Sequence, residues 1–148
     1  MVLPERTRPE SDLRTLLGGM DPILDPRRFV FVSIEDDQAE EVLSDAMMLF
    51  REAEGTTAIV EEDTACALSL HAMFPCRMIT LRVHSALDAV GFLAAILPEL
   101  AMAGMGVNPV SAFHHDHLFV PAERADDALA VLGGIADRTK GSAGGHEP

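Results

Sequence analysis

Apolar residues recur along this chain in two rhythms, and the switches between them mark the elements. Leu13, Leu16 and Leu17 sit at helical spacing, with Ser11 in the place of an N-cap and Gly18-Gly19 as the stop. Met20-Asp21-Pro22 and Asp25-Pro26 read as turns. Arg28 to Ile34 is a strand rich in Phe and Val, followed by an acidic stretch from Glu35 to Glu41. Ala46 to Val60 holds two β-capable runs around Ala53-Glu54-Gly55 and reads as a hairpin. A helix through Glu40 to Phe50 competes, because Val42, Leu43, Ala46 and Leu49 also fit a helical period. Residues 62–72 read as a short helix, and Phe74-Pro75 closes this half.

The second half is patterned more sharply. From Met78 to His84, Ile79, Leu81 and Val83 alternate with Thr80, Arg82 and His84, the signature of an antiparallel strand with one face on a core. Ser85 then stands as an N-cap with Asp88 three residues on, a capping-box spacing. The helix this predicts carries Val90, Leu93, Ala94, Leu97, Leu100 and Ala101 on one stripe and Phe92, Ile96 and Ala103 on a second. A helix apolar nearly all round is covered on more than one side. Pro98 is expected to kink it, and Gly104 and Gly106 to end it. A hairpin from Val107 to Val120 and a helix over Ala125 to Ala136 complete the pattern, with GSAGGHEP as a disordered tail.

Composition narrows the function. The 148 residues are 48% hydrophobic and 24% charged, which suits a folded globular chain. A net charge of −13 opposes nucleic acid and anionic membrane surfaces. The apolar run from Ala86 to Gly106 contains Asp88 and Glu99 and is broken by Pro98, so a buried helix is expected rather than a membrane span. Cys66 and Cys76 form no CxxC pair and are read as reduced thiols of a cytoplasmic protein. MVLPERTRPESD has no apolar core and is not a signal peptide.

Three words carry a family resemblance: FREAEGTTAIVEE, ITLRVHSALDAVGFLAAI and NPVSAFHHDHLFVP. They resemble small stand-alone bacterial ACT-domain proteins, over roughly Asp12 to Ile135. The resemblance implies an α+β, ferredoxin-like fold: a two-layer antiparallel sheet with helices on one face and a degenerate ACT-like unit as the N-terminal half. The expected division is a flexible arm at 1–10, a first half at 11–75, an ACT domain at 76–138 and a disordered tail at 139–148. The strand missing after Ala136 would then come from the first half. It also implies a non-catalytic regulatory module that binds a small amino-acid-like effector between its halves or subunits.

Candidate residues follow from that reading and from elementary chemistry. A helix N-terminus is a ready carboxylate site, which singles out His84, Ser85, Ala86, Leu87 and Asp88. The resemblance adds Asn108 at the start of the next strand, and Glu52 and Glu54 are candidates for an ammonium group. Gly91 is expected inside the helix. The plain alternative makes Ser85 and Asp88 an ordinary cap. His114-His115-Asp116-His117 raises a metal: His115 and His117 share a strand face, and further ligands would come from His84, His71, Cys66 or Cys76. The bland reading gives Asp116 to an Asx-type turn. No cofactor word is present, since Gly18-Gly19 and Gly104-Met105-Gly106 read as helix terminators. Ser111 has no nucleophile elbow around it, so no enzyme is expected. Beside the effector reading stand a ligand-free interaction module, a homodimer held by the Phe92/Ile96/Ala103 stripe, and a metal-binding protein.

Overall fold

A computed structural model describes residues 8–142. Most of the expected arm (1–7) and the end of the expected tail (143–148) lie outside the described residues. The elements are α1 (Leu13–Gly18), β1 (Pro22–Leu24), β2 (Phe29–Ile34), α2 (Ala39–Leu43), β3 (Met48–Glu52), β4 (Gly55–Glu61), α3 (Glu62–Ala67), β5 (Ala72–Leu81), α4 (Phe92–Met102), β6 (Asn108–Ser111), β7 (Asp116–Pro121) and α5 (Ala125–Gly141).

The sheet runs β3-β4-β2-β5-β7-β6, with β1 also on β5, and every pair is antiparallel. It is two βαββα units sharing a strand. In the first unit β2, β3 and β4 are followed by α3, and the start of β5 closes the sheet beside β2. In the second, the end of β5 leads through α4 to β6, β7 and α5. Its closing strand comes from the beginning of the chain: Pro22, Ile23 and Leu24 pair with Leu81, Thr80 and Ile79. The strand missing after α5 is thus supplied by residues read from sequence as a turn, because two prolines and two aspartates around only three strand residues hide so short an element.

Pleating sorts the side chains into two layers. On one face Val30, Val32, Ile34, Ala58 and Val60 pack under α2 and α3. On the same face Ile79, Leu81, Leu118 and Val120 pack under α1, α4 and α5. The other face carries Phe29, Ile59, Cys76, Met78 and Phe119. No helix among the described residues covers it, yet those residues are buried, because the sheet curls. Phe29 and Phe31 lie 6.0 and 5.9 Å from Phe119 in edge-on contacts, reaching across the intervening β5. A change of register between Phe29 and Phe31, with Phe74 at φ 55° before Pro75, marks the bulge in β5. Phe74-Pro75 therefore sits within β5, the strand that the two units share.

Several local expectations change. Asp12, not Ser11, caps α1: its carboxylate accepts from the Thr15 amide at 2.9 Å and the Thr15 hydroxyl at 2.8 Å. Both assignments over 40–50 are realised in part, as a one-turn helix at Ala39–Leu43 and then an edge strand. α4 starts at Phe92, not after Ser85. Its second stripe is no subunit interface, since Phe92 and Ile96 are buried in the chain's own core beside α1 and α5. A charge placed at Ile96 would break that core instead of separating a dimer. α5 continues past Ala136 to Gly141. Among the described residues no helix is long and apolar enough to cross a membrane.

Candidate functional site

β5 ends at Leu81 and the chain then turns through Arg82 to Gly91 before α4 begins. The turn is pinned from outside: Glu10 pairs with Ser85 as a parallel bridge, its amide donating to the His84 carbonyl and its carbonyl accepting from the Ala86 amide, both at 2.8 Å. The last residue of the expected arm is therefore built into the fold. At the other end Gly91 occupies the N-cap position of α4 with φ 92°, a conformation that favours glycine, so it lies at the cap and not inside the helix. Among the described residues no side chain caps α4. Its first-turn amides, which have no intrahelical acceptors, are left at a cleft.

The cleft holds about 160 Å³ and is lined by Ser85, Ala86, Leu87, Gly91, Ser111 and Asp116, among others. Asp116 is its chemical centre. Leu118 and Val120 on the same strand point to the helices, so the pleat sends Asp116 to that side too, and it is only 6% exposed. One carboxylate oxygen accepts from the Ser85 hydroxyl at 2.8 Å and the other from the Ser111 hydroxyl at 2.5 Å. No ion pair reaches it among the described residues. A buried carboxylate held only by neutral donors has spare acceptor capacity and an unmatched charge.

The structure brings together part of the predicted set. Ser85, Ala86 and Leu87 line the cleft, and Ser85 bonds Asp116 instead of capping a helix. Asp88 is exposed, outside the lining, and caps nothing. His84 is half-buried on the turn, its ring 5.6 Å from that of His114. Asn108 lies at the opposite end of β6 from Ser111, paired with Phe119 and exposed. Glu52 and Glu54 belong to the β3–β4 hairpin, and Glu52 accepts from Thr57. β3 stands three strands from β5 in the sheet, roughly 14 Å away at about 4.8 Å per strand.

Asp116 makes no Asx-type turn; it is a strand residue facing the core side of the sheet. The signal was present in HDHLFVP, where an acidic residue holds the same parity as inward Leu118 and Val120. The flanking histidines face the other way. His117 Nδ1 lies 2.9 Å from the Thr80 hydroxyl, and its ring is 6.4 Å from that of His115. Burial, followed by His115, lowers the His117 pKa; burial, followed by His114, lowers that of His115. Among the described residues no three His, Cys, Asp or Glu side chains are placed to hold a metal ion.

Comparison with known proteins places this architecture. Residues 8–77 match one ACT-domain family and residues 73–133 a second, so the two matches overlap on β5, the shared strand. The chain belongs to the ACT-domain family. This tandem ACT protein is 37% identical to a Vibrio cholerae protein of unknown function described as a possible transport protein, over 84% of this chain and 95% of that one, with a TM-score of 0.75. Two more distant structures share the fold. One is the aspartokinase α and β subunits (14% identity, 78% of this chain and 97% of that one, TM-score 0.60). The other is the regulatory subunit of aspartate kinase from Thermus flavus (13%, 77% and 95%, 0.55). No protein with a curated description matches the chain.

Proposed function

We propose that this ACT protein is a non-catalytic, cytoplasmic regulatory module that binds a small amino-acid-like effector in the cleft between the His84–Gly91 turn and β7. The observation that carries the reading is the buried Asp116 carboxylate, without a cationic partner among the described residues, beside an N-terminus of α4 that none of their side chains caps. The two are complementary to a zwitterion. The α4 amides and the positive end of the helix dipole suit its carboxylate, and Asp116 suits its ammonium. The volume of about 160 Å³ is below the range of about 300–1,000 Å³ usual for drug-sized ligands, so the effector is small.

Ligand occupancy transmits readily from such a place. The turn is fastened to Glu10, and through it to α1, while Asp116 lies on β7 at the centre of the second unit. Binding would draw Ser85 and Ser111 to new positions and bias α4 against the sheet.

The test is a thermal-shift screen of the twenty amino acids and the corresponding hydroxy acids at millimolar concentration, repeated with Asp116→Asn. Stabilisation follows RT ln(1 + [L]/Kd), so a ligand at a hundred times its Kd adds about 2.7 kcal/mol. One or a few small amino acids are expected to raise Tm, with the rise lost in Asp116→Asn. No shift with any compound would remove the effector reading, and a full shift in Asp116→Asn would remove Asp116 from it.

A further inference from the structure

On the sheet face opposite α4 and α5, β5 and β7 change character along their length. Met78 pairs with Phe119 at the buried end, and Thr80 with His117. Alternation sends Arg82 and His115, one pair further along, to the same face. Beyond them the turns add His84 and His114, whose rings lie 5.6 Å apart. His114 and His115 follow at 6.4 Å, and His115 and His117 at the same separation. Four of the chain's six histidines thus form one continuous run, with the Arg82 charge felt at His115. The run is open to solvent: Arg82 and His114 are exposed, and the other three are half-buried. We propose that this cluster binds the phosphate group of a small molecule, on the opposite side of the sheet from the effector cleft.

Guanidinium and protonated imidazole only donate hydrogen bonds, so several of them together call for an anion rich in acceptors. The charged groups around the cluster leave that demand open. From β1, Asp21 reaches Arg82 at 3.8 Å, between side chains 64% and 60% exposed. The ion pairs of Arg27, Arg28, Arg124 and Arg138 are 2.6–3.1 Å long, so Arg82 is the loosely held guanidinium. Glu10, bridged to the turn, spends its carboxylate on the Ser11 and Asp12 amides, and Asp88 is exposed on that turn. β6 and its exit contribute Val110 and Ala112, which carry no charge. Asp116 lies on β7 behind the histidines and is held by Ser85 and Ser111. A phosphate, with more acceptor oxygens and more charge than a carboxylate, matches donors that come from β5, β7 and two turns. The permanent charge of Arg82 opposes a metal cation in the same place. The net charge of −13 repels a polyanion and so selects a small ligand. Phe113, 64% exposed and edge-on to His114 at 4.9 Å, gives the organic part of a phosphate ester an apolar wall.

The test is calorimetric titration of the full chain with inorganic phosphate and with phenyl phosphate at constant ionic strength. Both should bind. A tighter phenyl phosphate, its advantage lost in Phe113→Ala, identifies an ester as the ligand, and equal affinities identify the free ion. A phosphate ester is doubly charged above about pH 6, whereas imidazole loses its charge above about 6.5, so affinity should fall from about pH 6.5 to about pH 8. In proton NMR, binding should move the ring signals of His84, His114 and His115 and leave those of exposed His71 in place. Burial, followed by His114, His84 and Arg82, holds His115 below the ordinary imidazole value, and bound phosphate should raise its titration midpoint. Arg82→Gln and the double change His114→Gln/His115→Gln should each weaken binding by about tenfold or more, with unchanged far-ultraviolet circular dichroism. Asp116→Asn, which removes the anchor of the effector, should not weaken phosphate binding, so the two readings fail separately. No binding of either compound overturns the assignment. So does binding that survives both Arg82→Gln and His114→Gln/His115→Gln, since the anion would then sit at the N-terminus of α4.

Discussion

Replacing Leu16 with alanine tests the claim that the beginning of the chain belongs to the second unit. Leu16 is fully buried and packs in the core made by Ile79, Leu81, Ile96, Leu118 and Leu132. Its neighbours are held by the sheet on one side and by α4 and α5 on the other, so the hole cannot collapse. Leu→Ala at such sites costs about 2.7–5.0 kcal/mol, rising with the residual cavity, and the rigid surroundings place Leu16 at about 4 kcal/mol. For a chain of 148 residues that is a fall in Tm of about 10 °C or more. Urea denaturation followed by circular dichroism measures it. Native-state amide exchange locates it, since protection should fall at Leu81 and at Leu118–Val120, far from residue 16 in sequence. Because β5 is shared, unfolding should remain a single transition. A loss below about 1 kcal/mol, or an effect confined to α1, would refute the docking of α1 and β1 on the second unit.

Stability should also depend on pH through the histidines. Burial holds His117 and His115 below the ordinary imidazole value of 6.5, so the unfolded chain binds their protons at higher pH than the folded chain does. Their contribution is intact above pH 6.5 and is lost as pH falls through 6.5 toward the depressed folded values; Tm measured between pH 7.5 and about 5.5 should decline, and His117→Gln should flatten that decline. The two thiols should separate cleanly. Cys76 is buried, donates to the Phe29 carbonyl at 3.3 Å and is pushed up to about 12 chiefly by burial, whereas Cys66 is exposed. An excess of thiol reagent under native conditions should modify one cysteine per chain, identified as Cys66 by mass spectrometry; fast modification of Cys76 would show that the curled face opens.

Of the residues named for a ligand, the structure gathers some at one cleft and separates others. Ser85 to Leu87 could be singled out because a helix N-terminus is a ready carboxylate site. Asp88 fitted a capping box equally well, and only the position of Gly91, with its positive φ, decides that α4 starts later. Asn108 was drawn from a family pattern, and the register of β6 on β7 carries it to the far end of the strand from Ser111. Asp116 could have been read from its parity with Leu118 and Val120, but it was read as an Asx-type turn residue, a local role that hides which face of the strand it takes.

What the sequence by itself determined is what local periodicity can encode: the alternation of β5, the apolar stripes of α4 and α5, and the β3–β4 hairpin. Apolar residues on both sides of α4 showed that it is covered twice; they could not say by what. That was decided by tertiary structure, because α1 and β1, which precede the first unit in sequence, pack on the second and close it, and pairing between residues 22–24 and 79–81 is a non-local choice without a local signal. The same holds for the shared strand. A ten-residue run can serve two units of one sheet only when partners from both halves meet it, and that meeting, not any word in the chain, places Asp116 beside Ser85.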